Sequence, residues 1–206
     1  MERLKKQMEF LLELDKMKNL YRQTYIINDY DRHSGESESP RPPRKENDAE
    51  HSFHLAIFAV ILSEYSNVPI DLLKVIKMVL IHDVVEIDAG DTYCYDTEAN
   101  KTKRDREVKA ADRLFGLLPD DQQKEFRDLW EEFEAENTPE AKFAVALDRM
   151  QPMLMNYTKD GKSWKEHGVH YDSVISRNSK ISNGAEELWA YMKPLIDKSK
   201  EDGLLL

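Results

Sequence analysis

The stretch Met78–Asp91, MVLIHDVVEIDAGD, sets a His-Asp pair inside an otherwise apolar run. His82 and Asp83 follow Met78–Ile81 directly, and Val84 and Val85 come next. A charged dipeptide in such a run does not sit on a solvated face. Burying an unpaired carboxylate costs several kcal/mol, so a buried Asp needs a cation or a strong partner. A divalent metal meets that need, because imidazole and carboxylate are both good ligands for one. Glu86 lies three residues past Asp83 and four past His82, so on a helix it shares their face. Gly90 breaks the helix and leaves Asp91 on the loop beyond it. Read alone, the dipeptide describes no more than a buried ion pair beside an exposed glutamate. The rest of the chain changes that.

At 206 residues the chain suits one domain, and it is long enough for a real hydrophobic core. Charged residues make up 34% and only seven residues are Gly, which favours a helix-rich soluble protein. A net charge of −10 argues against a nucleic-acid backbone or an anionic membrane as the main partner. It leaves room for a small anionic substrate, since a metal and a few Arg residues reverse the field locally. Cys94 is the only cysteine, so no intramolecular disulfide is expected and the chain reads as cytoplasmic. Its Tyr-Cys-Tyr setting reads as packing, not as a nucleophile. No apolar run approaches the ~18 residues of a membrane span, and the N-terminus lacks a signal-peptide core.

Outward from the central motif, the pattern is helical throughout. Leu4, Met8, Leu11, Leu12 and Leu20 predict a first amphipathic helix ending near Tyr21–Gln23. The Ser- and Pro-rich stretch from Asn28 to Glu46 predicts a mobile loop. Its basic cluster, Arg41, Arg44 and Lys45, reads either as solvated or as a phosphate-capturing group. Asn47 or Asp48 caps a second helix whose buried stripe is Leu55, Phe58, Leu62 and Tyr65. His51 sits in its first turn and, alone, would be structural. His54, one turn on, either supports a site or belongs to the core. Leu73, Ile76 and Leu80 give the stripe of a third helix, which leads into His82-Asp83.

After a Tyr-rich loop, a fourth helix is expected over Lys103–Leu117, and Pro119-Asp120 opens a fifth running to about Ala135. Thr138 caps a sixth helix with Pro139 at its first position. On it Asp148 lies among Val145, Ala146, Leu147, Met150 and Met153. Alone, Asp148 would be a surface residue or the partner of Arg149. Ser163–Lys198 holds two or more further helices, and no strand-forming alternation is visible. The expected fold is all-α.

Taken together, His51, His82-Asp83 and Asp148 form an H…HD…D pattern on three helices. Two imidazoles and two carboxylates suffice for one divalent ion with positions left for water and substrate. Here the chain resembles the HD-domain phosphohydrolase superfamily, and within it the single-domain nucleotidases similar to bacterial 5′-deoxynucleotidase. The resemblance rests on ENDAEHS (Glu46–Ser52), HDVVEIDAGD (His82–Asp91) and ALDRMQPMLMNY (Ala146–Tyr157), and runs roughly from Leu11 to Tyr157. It implies an HD-domain helical bundle with an extra C-terminal helical segment. It implies one divalent metal held by His51, His82, Asp83 and Asp148. It also implies that Glu86 protonates the leaving oxygen and that Asp91 positions the attacking water. Arg22 matches the phosphate-binding Arg, and Arg44 a second Arg without a defined role. Gln23 stands where the nucleotidase has a Trp beside that Arg, which opens the question of sugar selectivity. A homodimer is likewise implied by the family.

The leading expectation is a metal-dependent 5′-nucleotidase acting on (deoxy)ribonucleoside 5′-monophosphates. Two-metal HD phosphodiesterases and diiron HD oxygenases use further histidines between the HD pair and the last Asp, and this chain has none between Asp83 and Asp148. A non-catalytic HD fold that binds a nucleotide or a partner would lose Glu86 or Asp91 first, and both are present. The mixed nitrogen and oxygen ligand set accepts Mn, Co, Ni, Fe or Zn.

Overall fold

Asn47 starts the helix that carries His51. Its side chain accepts from the Glu50 amide at 2.9 Å, while the Glu50 carboxylate accepts from the Asn47 amide at 3.1 Å. This reciprocal cap satisfies two of the helix's orphan donors. It also frees Asp48, the alternative cap in the sequence, to turn inward, where it is completely buried.

The structure, a computed structural model, describes residues 1–26 and 44–206. In chain order it comprises α1 (Glu2–Leu14), a 3₁₀ turn (Asp15–Asn19), strands β1 (Tyr21–Tyr25) and β2 (Lys45–Asn47), then α2 (Asp48–Leu62) and α3 (Leu72–Ile81). A second 3₁₀ turn (His82–Val85) leads into the single turn α4 (Glu86–Ala89). The long helices α5 (Thr97–Phe115), α6 (Asp120–Ala135) and α7 (Pro139–Thr158) follow. The chain finishes with α8 (Lys162–His167), α9 (Tyr171–Asn178) and α10 (Glu186–Glu201). No helix among the described residues is long and apolar enough to cross a membrane.

Among the described residues the chain is all-α apart from one short antiparallel ribbon, which the sequence reading missed. Tyr21 lies opposite Asn47 and Tyr25 opposite Lys45, with an irregular step between. The first helix therefore stops at Leu14 instead of running on to Tyr21–Gln23. Aromatic and β-branched residues in YRQTY favour a strand once a partner edge is at hand. The expected loop over 28–46 lies outside the described residues up to 43, Arg41 included, and its last residues form β2.

Two predicted stripes face the other way. Leu4, Met8, Leu11 and Leu12 of α1 are exposed. The helix docks instead through Phe10, edge-on to Phe126 at 5.9 Å, with Arg3 paired to Asp121 at 2.7 Å and Gln7 to Gln122 at 2.8 Å. On α3, Leu73 and Leu80 are exposed, while Val75, Met78, Val79 and Ile81 are buried. Helix α5 begins at Thr97, six residues before the expected start, because Asp96 accepts from the Glu98 and Ala99 amides.

Helix α7 runs through the middle of the fold, with Phe143, Ala144, Ala146 and Leu147 fully buried. Trp130 and Phe115 fill the core from α6 and α5. The C-terminal helices pack on α7 through a turn at Ser179–Asn183. Gly184 makes that approach possible, because a Cβ there would run into the backbone carbonyl of Lys142. Helix α6 spans Asp120–Ala135 as expected and α7 starts at Pro139 as predicted, with Thr138 capping the Ala141 amide at 3.2 Å.

Candidate active site

The last turn of α3 fixes His82. Its Nδ1 donates to the Val79 carbonyl at 2.9 Å, so the lone pair is on Nε2. That Nε2 is buried, has no hydrogen bond, and faces Asp83 Oδ1 at 3.2 Å and Asp148 Oδ1 at 3.6 Å. His51 is held in the same way from the opposite side. Gln151 Nε2 donates to Glu46 Oε1 at 2.7 Å, which turns Gln151 Oε1 toward His51 Nδ1 at 3.2 Å. Nδ1 is therefore the donor, and Nε2 faces Asp148 Oδ1 at 3.0 Å and Asp83 Oδ2 at 3.9 Å.

In its neutral form each imidazole thus turns the Nε2 lone pair toward the same two carboxylates. The two rings lie 5.5 Å apart, and ligand atoms from His51, His82 and Asp83 fall within 4.8 Å of one another. Two oriented nitrogens, two carboxylates and a buried Nε2 without a partner match the donor set of a divalent metal with its supporting shell. The four residues predicted as ligands are brought together.

Electrostatics point the same way. Burial alone would raise the Asp148 carboxyl, yet the imidazoles of His51 and His82 beside it hold it well below the usual carboxylate range. Burial would depress His82, but the charges of Asp83 and Asp148 raise it well above its ordinary value. The cluster demands positive charge at its centre.

Arg22 supplies some of that charge from β1. Its Nη1 stands 2.5 Å from Asp83 Oδ2 and 3.5 Å from Asp48 Oδ1, and Nη2 is 3.9 Å from Asp148 Oδ1. Asp48, Asp83 and Glu86 bring carboxylate oxygens within 4.8 Å of one another. Burial, then the Asp83 charge, pushes the Asp48 carboxyl up to about 7. Glu86 is only 4% exposed, and its Oε2 is buried without a hydrogen bond. Burial and the Asp83 charge raise its carboxyl well above the usual range, which favours the protonated form. Asp91 follows Gly90, whose φ of +76° turns the chain back to the cleft, and burial raises its carboxyl too.

Gln23 also lines the cleft. Its Oε1 accepts from Lys45 Nζ at 2.5 Å and from His167 Nε2 at 3.1 Å. Arg44 is not brought to the site. It forms a bidentate pair with Glu50 at 2.7 and 2.8 Å and is absent from the cleft lining. Arg149 does not pair with Asp148 but donates to Glu136 and to the Arg177 carbonyl, both at 2.7 Å.

Sequence reasoning missed Asp48, Glu46 and Gln151. Asp48 precedes His51 by three residues and Gln151 follows Asp148 by three, so both lie on ligand-bearing faces. That spacing was the available signal. His54 Nδ1 accepts from Gln151 Nε2 at 3.1 Å, which makes it a support for this network. The C-terminal segment adds Ser163, Trp164, Arg177 and Asn178 to the cleft wall, and nothing local in the sequence announced them.

Comparison with known proteins gives a consistent result. The HD domain family matches residues 14–189. A crystal structure described as a predicted metal-dependent phosphohydrolase from Magnetospirillum magnetotacticum MS-1 is 45% identical, with a TM-score of 0.88, covering 99% of this chain and 96% of that one. The 5′-deoxynucleotidase HDDC2 of Bos taurus is 33% identical over 112 residues, 54% of this chain and 53% of the relative. The chain spans about half the length of the curated relatives it matches. An HD-domain phosphohydrolase from Listeria innocua, 16% identical with a TM-score of 0.59 and covering 96% and 95% of the two chains, shares the fold. With its HD pair, outlying His51 and Asp148, and helical frame, this chain belongs to the HD-domain family.

Proposed function

We propose that the chain is a metal-dependent 5′-nucleotidase that hydrolyses (deoxy)ribonucleoside 5′-monophosphates to nucleoside and phosphate. The observation that carries this reading is the convergence of His51, His82, Asp83 and Asp148 beside the buried Glu86, whose carboxyl is raised by burial and by the Asp83 charge. His51, His82, Asp83 and Asp148 would hold one divalent ion. When bound, that ion supplies Lewis acidity toward the phosphoryl group and toward water.

The chain's own residues supply the rest. Arg22 offers a planar guanidinium fork matched to a phosphate dianion. Asp91 accepts a hydrogen bond from the attacking water and orients it. Glu86 gives its proton to the ester oxygen as the P–O bond breaks, so the nucleoside leaves as an alcohol. Walls that exclude bulk water strengthen each of these interactions.

The net charge of −10 and the cleft's carboxylates support a small substrate over a nucleic-acid backbone. The lone Cys94 supports a cytoplasmic setting. Helix α2 supports a homodimer: it is apolar on both faces, with Leu55 and Ala59 buried and Phe53, Ile57, Val60 and Ile61 exposed on one stripe. A helix apolar all round is covered on both sides, and the family resemblance makes the second cover another copy of this chain. Phosphate release from a panel of nucleoside 5′-monophosphates, each with several divalent metals, tests the activity. Turnover of several of them supports the reading, and no turnover of any with any metal refutes it.

A further inference from the structure

Every other described arginine donates to a carboxylate, a carbonyl or a hydroxyl, whereas the Arg177 guanidinium donates to no described residue. Arg177 enters the hydrogen-bond network only through its backbone carbonyl, which accepts from Arg149 Nη1 at 2.7 Å. Its side chain lines the same cleft as Asp83 and Glu86 and is half-buried. Its charge acts on Cys94 and Tyr95.

The backbone under Arg177 is fixed, although the guanidinium is not engaged. Arg149, which clamps it, directly follows Asp148 and is itself tied to Glu136 at 2.7 Å. Asn178, 2% exposed, closes the end of α9 by donating to the Val174 carbonyl at 2.8 Å. One helix, α7, therefore positions both the ligand Asp148 and the platform of Arg177. The wall beside it is aromatic: Tyr93 and Tyr95 meet edge-on at 5.4 Å, and Trp164 is 3% exposed.

We infer that Arg177 is a specificity residue that reads the base of the nucleotide, taking two adjacent acceptors on one base edge. The inference rests on the nucleotidase reading. A guanidinium fork carries donors only, and it pairs in bidentate fashion with O6 and N7 of guanine. Hypoxanthine has the same edge, and cytosine sets O2 beside N3. Adenine sets its amine donor between N1 and N7, and uracil places N3–H between its carbonyls. Flat aromatic walls suit a planar base better than a tetrahedral anion.

The test is kcat/KM for GMP, IMP, AMP, CMP and UMP with wild type, Arg177→Lys and Arg177→Gln, plus calorimetric binding of GMP and AMP. Wild type favours GMP and IMP over AMP, and CMP over UMP, by about tenfold or more. Both variants collapse the ratios to within about threefold, mainly through KM for the favoured nucleotides. Helix content by circular dichroism and AMP turnover verify that the variants fold. Equal handling of GMP and AMP by wild type, or ratios unchanged in Arg177→Gln, would overturn the inference. A preference kept by Arg177→Lys but lost in Arg177→Gln would also overturn it, because charge alone, as for a second phosphate, would then suffice. Hydrolysis without base preference refutes only this inference, whereas neither hydrolysis nor binding of any monophosphate refutes the nucleotidase reading with it.

Discussion

Arg22 Nη1 lies 2.5 Å from Asp83 Oδ2, joining the β-ribbon to the turn that carries the His-Asp pair. One guanidinium thereby serves Asp83, Asp48 and Asp148 from a single strand position. Arg22→Ala leaves buried carboxylates without their cation, and loss of one member of a buried pair costs about 3–5 kcal/mol. A fall in melting temperature that added metal partly restores is the expected result. In the metal-loaded protein KM for nucleotides rises about tenfold or more. Thermal melts with and without metal, together with steady-state kinetics, check both halves.

Glu86→Gln keeps the shape of the side chain but removes the proton. The expected loss in kcat on nucleoside monophosphates is ~100-fold or more, with metal content unchanged. With p-nitrophenyl phosphate the loss is smaller, since that leaving group needs less protonation. An unchanged kcat on nucleotides would reduce Glu86 to a buried structural carboxyl.

Gln23 bears on sugar selectivity. Its Oε1 is taken by Lys45 and His167, and its Nε2 makes no hydrogen bond to a described residue, which leaves a donor for a 2′-hydroxyl. A hydrogen-bonding amide does not exclude ribose as a bulky Trp would. The kcat/KM values for AMP and dAMP, and for CMP and dCMP, are expected within about tenfold, ~1.4 kcal/mol. Gln23→Trp shifts preference toward deoxy substrates. A wild-type deoxy preference above about a hundredfold would place the exclusion elsewhere.

The exposed stripe on α2 gives a prediction free of catalysis. Phe53→Glu combined with Ile61→Glu puts charge on residues that are 66% and 64% exposed, so the isolated fold tolerates it. Light scattering is expected to show a dimer for wild type and a monomer for the variant, at equal helix content. A wild-type monomer would refute the homodimer.

The His-Asp pair and most helices were legible because their signals are local: an apolar run around a charge, a cap before a stripe, Pro139 behind Thr138. His51 and Asp148 stood out only when read together with that pair. The ribbon was not, because YRQTY becomes a strand only when Lys45–Asn47 arrives from some twenty residues away. Stripes were misread where polar contacts outvoted apolar area, as when Arg3–Asp121 and Gln7–Gln122 turn Phe10 inward in place of Leu4 and Met8. Asp48 was hidden by Asn47, since either residue caps equally well in sequence and only the reciprocal Glu50 bond decides. Arg177 reaches the cleft through a clamp from Arg149, a link that no local pattern records.

The central claim is that one divalent ion, held by His51, His82, Asp83 and Asp148, drives phosphomonoester hydrolysis. The direct measurement is a titration of metal-stripped protein with a divalent metal while phosphate release from a nucleoside monophosphate is followed, with Asp83→Ala in parallel. The account predicts activity that rises to a plateau at about one ion per chain, helix content that persists without metal, and neither tight binding nor activity in Asp83→Ala. A plateau at two ions per chain, or full activity in the stripped protein, would contradict it.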